Sequence, residues 1–452
     1  MSLLWRLAYR NLLRQRRRNL ATGLAMAAGF LGLLLFGSYI YRTEHYLRVN
    51  AIFINGAGHL SVYRKGGLEN FLARPKDYLI EGERAARLRS LLAARAEVDF
   101  VGETLKGVGL VGNGCQNFPF QGSGIQLETD RRMRSHPEVL EWTPELVRLD
   151  KGQALSHFIG TPFRPVAVTP GLLRKLGKTK LGAPVPFDPA APLPDCQDSA
   201  ALERLTQESA VQLIGMSHAG DFSVVDGDLV GQYTTGLALS EDTGLVTSIE
   251  QMRALVGSDG SSYFSVYLKD GESVSGTARA LQELFDREKL DLEVHEYSEE
   301  EVSLFYVGVM FFLYTMGSFF FVLVLGVITV SVVNFVAVST FERSSELGMM
   351  RALGFTLADI ARAFVYEIIL LTSAALVAGG LATWALCTVV NSLNLRFDPP
   401  GIAGNMQFLL LLAWWFIAGF ALLLMVLAIV TGYISARHRA RSGIPLLLEA
   451  KQ

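Results

Sequence analysis

The stretch TFERSSELGMMRALGFTLADIARAFVYE, residues 340–367, lies between two long apolar segments. It carries paired opposite charges, two glycines and an amphipathic continuation. A turn between membrane helices needs only a few solvated residues. This much chemistry in one loop reads as a compact handle offered to a partner. Its charges are Glu342, Arg343, Glu346 and Arg351, and Gly348 and Gly354 are expected to permit close approach. Glu346 and Arg351 are five apart, a poor spacing for a helical pair, so at least one is expected to face a partner.

Upstream of the handle, residues 304–338 run for about 35 positions without charge or proline. A bilayer needs about 20. If helical throughout, the excess is roughly 20 Å at about 1.5 Å per residue. The second span, 302–338, is therefore expected to continue beyond the membrane as a stiff stalk that includes Gly308. The cytoplasmic loop is 339–360. Downstream come a third span at 361–391, a short loop at 392–406 containing Pro399, Pro400 and Gly401, and a fourth span at 407–436. Residues 437–452 form a tail that opens with basic residues.

At the start of the chain, Arg6, Arg10 and Arg14 recur every four residues and share one helix face; Arg17 follows. Residues 1–19 read as a helix lying on the cytoplasmic leaflet, its arginines near anionic lipid. Residues 20–41 form the first span. The run is long for a signal peptide, and GSYIYRTEH after it lacks a cleavage site, so it is expected to stay. Basic residues at both termini and in the handle put all three in the cytoplasm.

The composition agrees with this division. Of 452 residues, 50% are hydrophobic and 19% charged, with a mean hydropathy of +0.31. Membrane helices and a sizeable wet domain are both required. A net charge of −2 is uninformative about nucleic acid, but nothing in the sequence resembles a basic nucleic-acid face, so no nucleic-acid partner is expected. The wet part is 42–301, which has no span-length apolar run. Its two ends look alike: strand 59–63, helix 81–95 and strand 98–105 near the start, then strand 263–268, helix 275–289 and strand 292–295 near the end. Between them lie short strands separated by Gly and Pro turns, and a Pro- and Asp-rich loop at 187–201. The expected class is an α-helical membrane protein with four transmembrane helices plus an α+β extracytoplasmic domain carrying a β-rich insertion.

Glu342-Arg343, Glu346-Leu347-Gly348 and Met350-Arg351-Ala352-Leu353-Gly354 resemble the cytoplasmic loop of MacB/LolC/FtsX-type (type VII) ABC transporter permeases. The resemblance implies a coupling helix that docks on an ATPase dimer, which binds ATP and Mg; this chain itself holds no cofactor and is not an enzyme. It implies a second permease copy or a related permease, and an elbow helix at the N-terminus. It also implies a "porter" subdomain interrupted by a β-rich one, a cytoplasmic (inner) membrane location, and stalks that carry ATP-driven motion to the far side. The cargo would be a lipoprotein, a lipid or an amphipathic peptide, with or without a periplasmic partner. The alternative is an FtsX-like regulator of a cell-wall hydrolase; the roughly 260-residue far-side domain favours transport.

Other chemistry is absent or incomplete. GLLRKLGKT at 171–179 has five residues between its glycines where a P-loop needs four. The segment around Gly215-Met216-Ser217-His218-Ala219 lacks the second glycine of a nucleophile elbow. Asp226 and Asp228 begin a calcium-loop pattern that Val230 and Leu237 end. Seven histidines contain no HExxH, and three cysteines no CxxC, so no metal site is expected. Cys115 and Cys196 fall in the far-side domain; spacing cannot settle connectivity, and the reading favours two free thiols. Within the spans, Asn334 and Glu367 are the notable polar groups, and Glu367 is expected to serve helix packing.

Overall fold

The computed structural model describes residues 3–14, 16–71, 73–147, 151–182, 195–217, 220–234, 240–269, 271–397 and 406–440. They form two compact units.

The membrane unit takes in the chain up to Glu44, then Phe311–Leu395, then the chain from Gln407. Among the described residues, four helices are long and apolar enough to cross a bilayer: Asn19–Ile54, Glu300–Glu342, Leu357–Ser392 and Trp414–His438. Their shared core includes Phe30, Leu34, Val332, Val336, Ile360, Phe364 and Ala428, all buried. Phe311, Phe319, Val322, Val330 and Trp414 point outward and are exposed. So much outward-facing apolar surface is tolerable in lipid, not in water. Tyr41 meets Trp415 edge to face at 6.2 Å, an aromatic pair of the kind found at membrane–water boundaries. Gly379 packs tightly, since a Cβ there would lie 2.8 Å from the Ala27 carbonyl oxygen.

Three boundaries differ from the sequence reading. The first helix does not end at 41: Arg16–Val49 is continuous and passes into a π-helical turn, Asn50–Ile54. Arg42, Glu44 and Arg48 end the apolar run without ending the helix, because helix formation does not require apolar residues. The second helix, Glu300–Glu342, is broken at Ser303 (φ −136°, ψ 58°), so the long rod begins at Leu304. The fourth helix starts at Trp414, not 407, and the chain before it is held by Asn391, whose amide both donates to the Leu410 carbonyl and accepts from the Leu410 N–H.

The second unit, expected on the far side of the membrane, is His45–Met310 with Arg396–Met406. Its strands are β1 (Leu60–Arg64), β2 (Val98–Gly112), β3 (Asn117–Ile125), β4 (Pro165–Val168), β5 (Ala210–Met216), β6 (Phe222–Gln232), β7 (Gly244–Ser248), β8 (Tyr263–Leu268) and β9 (Leu292–Glu296). The order β2-β8-β1-β9, with antiparallel neighbours, interleaves two split β-α-β units. Their helices, Gly82–Ala93 and Val274–Glu288, contribute Leu88, Leu92, Leu281 and Phe285 to a core with Leu60, Val62, Phe264 and Val266. This half is the expected repeat of strand, helix and strand.

The insertion departs from a separate β-rich piece. β2 is 15 residues long; its first half pairs with β8 and its second half with β5 and β3. Because β3 returns to β2, strands β2-β3-β7-β4-β6-β5 close into a ring, and Leu105, Val111, Phe120, Leu213 and Leu229 pack with Met252 and Leu255 in its core. Glu103 on β2 joins the two halves: it accepts hydrogen bonds from Arg89 (2.6 and 2.9 Å), Arg253 (3.1 Å) and Ser261 (3.0 Å). Burial pushes the Glu103 carboxyl up, but Arg89, Ser261 and Arg253 outweigh it and hold the group below its ordinary range.

Cys115 and Cys196 are disulfide-bonded with Cα atoms 5.6 Å apart, which corrects the expectation of free thiols. Most of the 187–201 loop lies outside the described residues; its end forms a helix, Ser199–Gln207, N-capped by Asp198, whose carboxylate accepts the Ala200 N–H. Gly171 belongs to a short helix, Pro170–Leu176, and Asp226 and Asp228 sit in β6, where both bond Arg164. Among the described residues no cluster suits a metal ion.

Candidate functional site

The handle folds through local signals. The long helix stops at Arg343, whose backbone (φ −110°, ψ 19°) is not helical, and a short helix, Ser344–Ala352, follows. Gly354 then takes φ +91°, a region costly for any residue with a Cβ. The Phe355 N–H donates to the Met350 carbonyl and the Gly354 N–H to the Arg351 carbonyl, both at 3.1 Å, which is a Schellman closure. Two residues on, Thr356 and Asp359 cap the third span reciprocally: the Thr356 hydroxyl accepts the Asp359 N–H while the Asp359 carboxylate accepts the Thr356 N–H. Helix end, tight turn and helix start thus fit within residues 352–359.

Arg343 anchors this turn to the membrane helices. Its guanidinium donates to Glu367 Oε1 at 2.8 Å and to Glu346 Oε2 at 3.2 Å, and it lies 5.7 Å over the Phe364 ring. Asn11, on the N-terminal helix Leu3–Arg14, donates to the same Glu367 oxygen at 2.7 Å. The Arg343 and Glu367 side chains are 18% and 4% exposed, so the pair is largely desolvated. Burial disfavours the Arg343 charge, but Glu367 and then Glu346 outweigh it and raise its pKa above the ordinary arginine value. Removing one member of a buried pair costs about 3–5 kcal/mol, because the other is left uncompensated. Arg14 approaches Glu346 at 3.4 Å, but both are well exposed and the contact contributes little.

The predicted site residues separate into two groups. Arg343 and Glu346 are tied within the chain, and Gly348 is buried in the short helix. Glu342 is exposed and Arg351 half-buried. Gly354 is not a close-approach glycine within this chain: a Cβ there would meet nothing within 4 Å, and its φ is what requires glycine. Arg10, Arg14 and Arg17 are exposed; the Arg6 side chain lies outside the described residues. Gly308 sits on the rod, exposed, with open space around its Cα.

Charge reasoning missed the apolar surface of the handle. Met349 is 57% and Leu353 80% exposed, four residues apart and so one helical turn from each other; Phe341 and Phe355 are exposed nearby in sequence. The available signal was large apolar residues in a loop outside any span. It also missed Asn11, because nothing local links that residue to Glu367.

Residues 318–444 match the family described as FtsX-like permease C-terminal. No curated protein matches the chain. Among solved structures, the chain is similar to the extracellular domain of the noncanonic ABC-type transporter YknZ from Gram-positive bacteria, at 13% identity and TM-score 0.30 over 52% of this chain and 99% of that one. It is also similar to the periplasmic region of MacB from Actinobacillus actinomycetemcomitans, at 11% identity and TM-score 0.32 over 53% and 88%. The handle and the helices on either side of it, the second span from residue 318 onward, all lie inside the region that matches the FtsX-like permease C-terminal family.

Proposed function

We propose that this chain is the non-catalytic membrane subunit that transmits motion of a separate ATPase dimer to its far-side domain, moving a lipoprotein, lipid or amphipathic peptide. The observation that carries the reading is the exposed apolar pair Met349 and Leu353 on a turn held rigid by Arg343–Glu367, the Schellman closure and the capping box. A docking element needs apolar anchors on a scaffold that does not deform under load. ATP and Mg belong to the partner, and the chain lies in the cytoplasmic membrane with both termini inside. Asn334, exposed in the second span, supports a second permease copy, since a polar amide facing lipid is costly. The two-part far-side domain favours transport over hydrolase regulation.

Co-purification and ATPase stimulation test the docking. Met349→Asp with Leu353→Asp should abolish both while membrane insertion survives. Glu346→Lys with Arg351→Glu should do the same, with about 2–5 kcal/mol lost if either charge is desolvated at the interface. Variants that bind and drive the ATPase at wild-type level would move docking elsewhere, to the N-terminal helix or the basic tail.

A further inference from the structure

Near the start of the third span, one carboxylate oxygen holds two other elements at once. Glu367 Oε1 accepts from Arg343, just past the end of the long rod, at 2.8 Å. It also accepts from Asn11 Nδ2, on the N-terminal helix Leu3–Arg14, at 2.7 Å. A carboxylate only accepts, so the nitrogen of the Asn11 amide is the atom that must face it. The Glu367 side chain is 4% exposed, and water cannot readily replace either donor.

The N-terminal helix is shaped for this seat. Ala8, Asn11 and Leu12 fall at steps of three and four and share one face. Ala8 is buried, and Leu12 packs on the core of the membrane unit. Tyr9, Arg10 and Arg14 are exposed on the rest of the surface. A helix that only lay on lipid would gain nothing from an asparagine on its apolar face. The helix is fixed at its other end as well. Asn19, buried at the start of the first span, donates its Nδ2 to the Leu12 carbonyl at 2.9 Å. Leu12 lies in the last turn of the N-terminal helix, where carbonyls lack an intrahelical donor. This bond stiffens the joint between helix and span. Arg14 and Glu346, exposed and 3.4 Å apart, add little to the attachment.

We propose that Asn11 is a positioning residue for coupling. It locks the N-terminal helix to Glu367, so that motion of the handle enters the first span through Asn11 and Asn19 as well as the long rod through Arg343. The inference rests on reading the handle as the docking element for an ATPase.

The lock is tested first on the full chain in nanodiscs with no ATPase present. In a Cys387→Ser background, spin labels on Tyr9→Cys and Leu353→Cys, both exposed positions, report the distance from the N-terminal helix to the handle by double electron–electron resonance. Asn11→Asp is the deciding change. While a proton stays between the introduced carboxyl and Glu367 a hydrogen bond survives; once it leaves, two like charges face each other. With Asn11 intact, the distance distribution should be equally narrow at about pH 5.5 and about pH 8.5; with Asn11→Asp it should be narrow at the lower pH and about twofold broader at the higher. The doubly labelled positions are then restored and the ATPase added. At about pH 8.5, Asn11→Asp should lower ATPase stimulation by about fivefold relative to the unsubstituted chain at that pH, with co-purification retained; at about pH 5.5 the two should agree. A residue needed only for folding would lower stimulation at both. Asn11→Leu, which has no donor at any pH, should lose stimulation in both arms and replaces Asn11→Asp if that variant does not insert. A distribution that stays narrow at the higher pH in Asn11→Asp, or one that broadens while stimulation remains full, overturns the proposal. Failure of the docking reading shows differently, as an unsubstituted chain that binds no ATPase, and leaves the distance measurement in force.

Discussion

Arg343 and Glu367 show why a charge in an otherwise apolar span need not lie on an ion path. Each is satisfied inside the chain, and Asn11 takes part of the same carboxylate. Glu367→Ala should therefore lower stability by about 3–5 kcal/mol, read as a fall in thermal midpoint in detergent. Arg343→Met with Glu367→Met should cost much less than the two single changes summed. His59 is the corresponding case in the far-side domain. It is buried, and its Nδ1 accepts the Leu268 N–H at 3.1 Å. Burial, then the neighbouring charges of His136 and Arg48, lower its pKa to about 4 from 6.5. The unfolded chain protonates near 6.5 and the folded one only near 4, so stability is full above about pH 6.5 and falls as the pH drops toward 4. The loss is about 3 kcal/mol, at about 1.36 kcal/mol per unit. His59→Asn, which keeps an acceptor and cannot titrate, should flatten that part of the pH–stability profile; an unchanged profile would assign the loss to other groups.

At the scale of elements, the 39 residues from Leu304 to Glu342 form an unbroken helix of about 58 Å at about 1.5 Å per residue. Gly308 lies five residues past the break at Ser303. Gly308→Pro should cost about 3 kcal/mol locally. If the rod carries motion, it should uncouple transport while ATP hydrolysis continues; normal transport by a well-inserted variant would count against a rigid rod. The disulfide is the second element-scale device. It joins residues 81 positions apart, and removing it should cost about 4.5 kcal/mol by the loop-entropy estimate. Paired Cys115→Ser and Cys196→Ser substitutions, compared with wild type by thermal unfolding, measure this.

For the whole molecule, the decisive test is topology. In a background lacking the native cysteines, Ser199→Cys should react with an impermeant thiol reagent from outside. Ser344→Cys should react only after permeabilisation. Both positions are accessible enough to label, Ser199 being exposed and Ser344 half-buried. Equal behaviour at the two sites would refute four spans with the large domain outside.

Some of this was legible in the residues because it depends on neighbours along the chain. Span length, arginine placement, the strand–helix–strand repeats and the Gly354 and Thr356–Asp359 signals act within a few residues, and sequence reading recovers them or holds the information to do so. Other features needed the folded chain. Ring closure through β2 depends on β3 returning to a strand already paired at its other half. The Cys115–Cys196 bond spans 81 residues, and the Asn11–Glu367 contact 356. The exposure of Met349 and Leu353 is a difference between what a residue is and what surrounds it. Composition sets the cost of burying or exposing a group; only the tertiary arrangement decides which groups incur that cost.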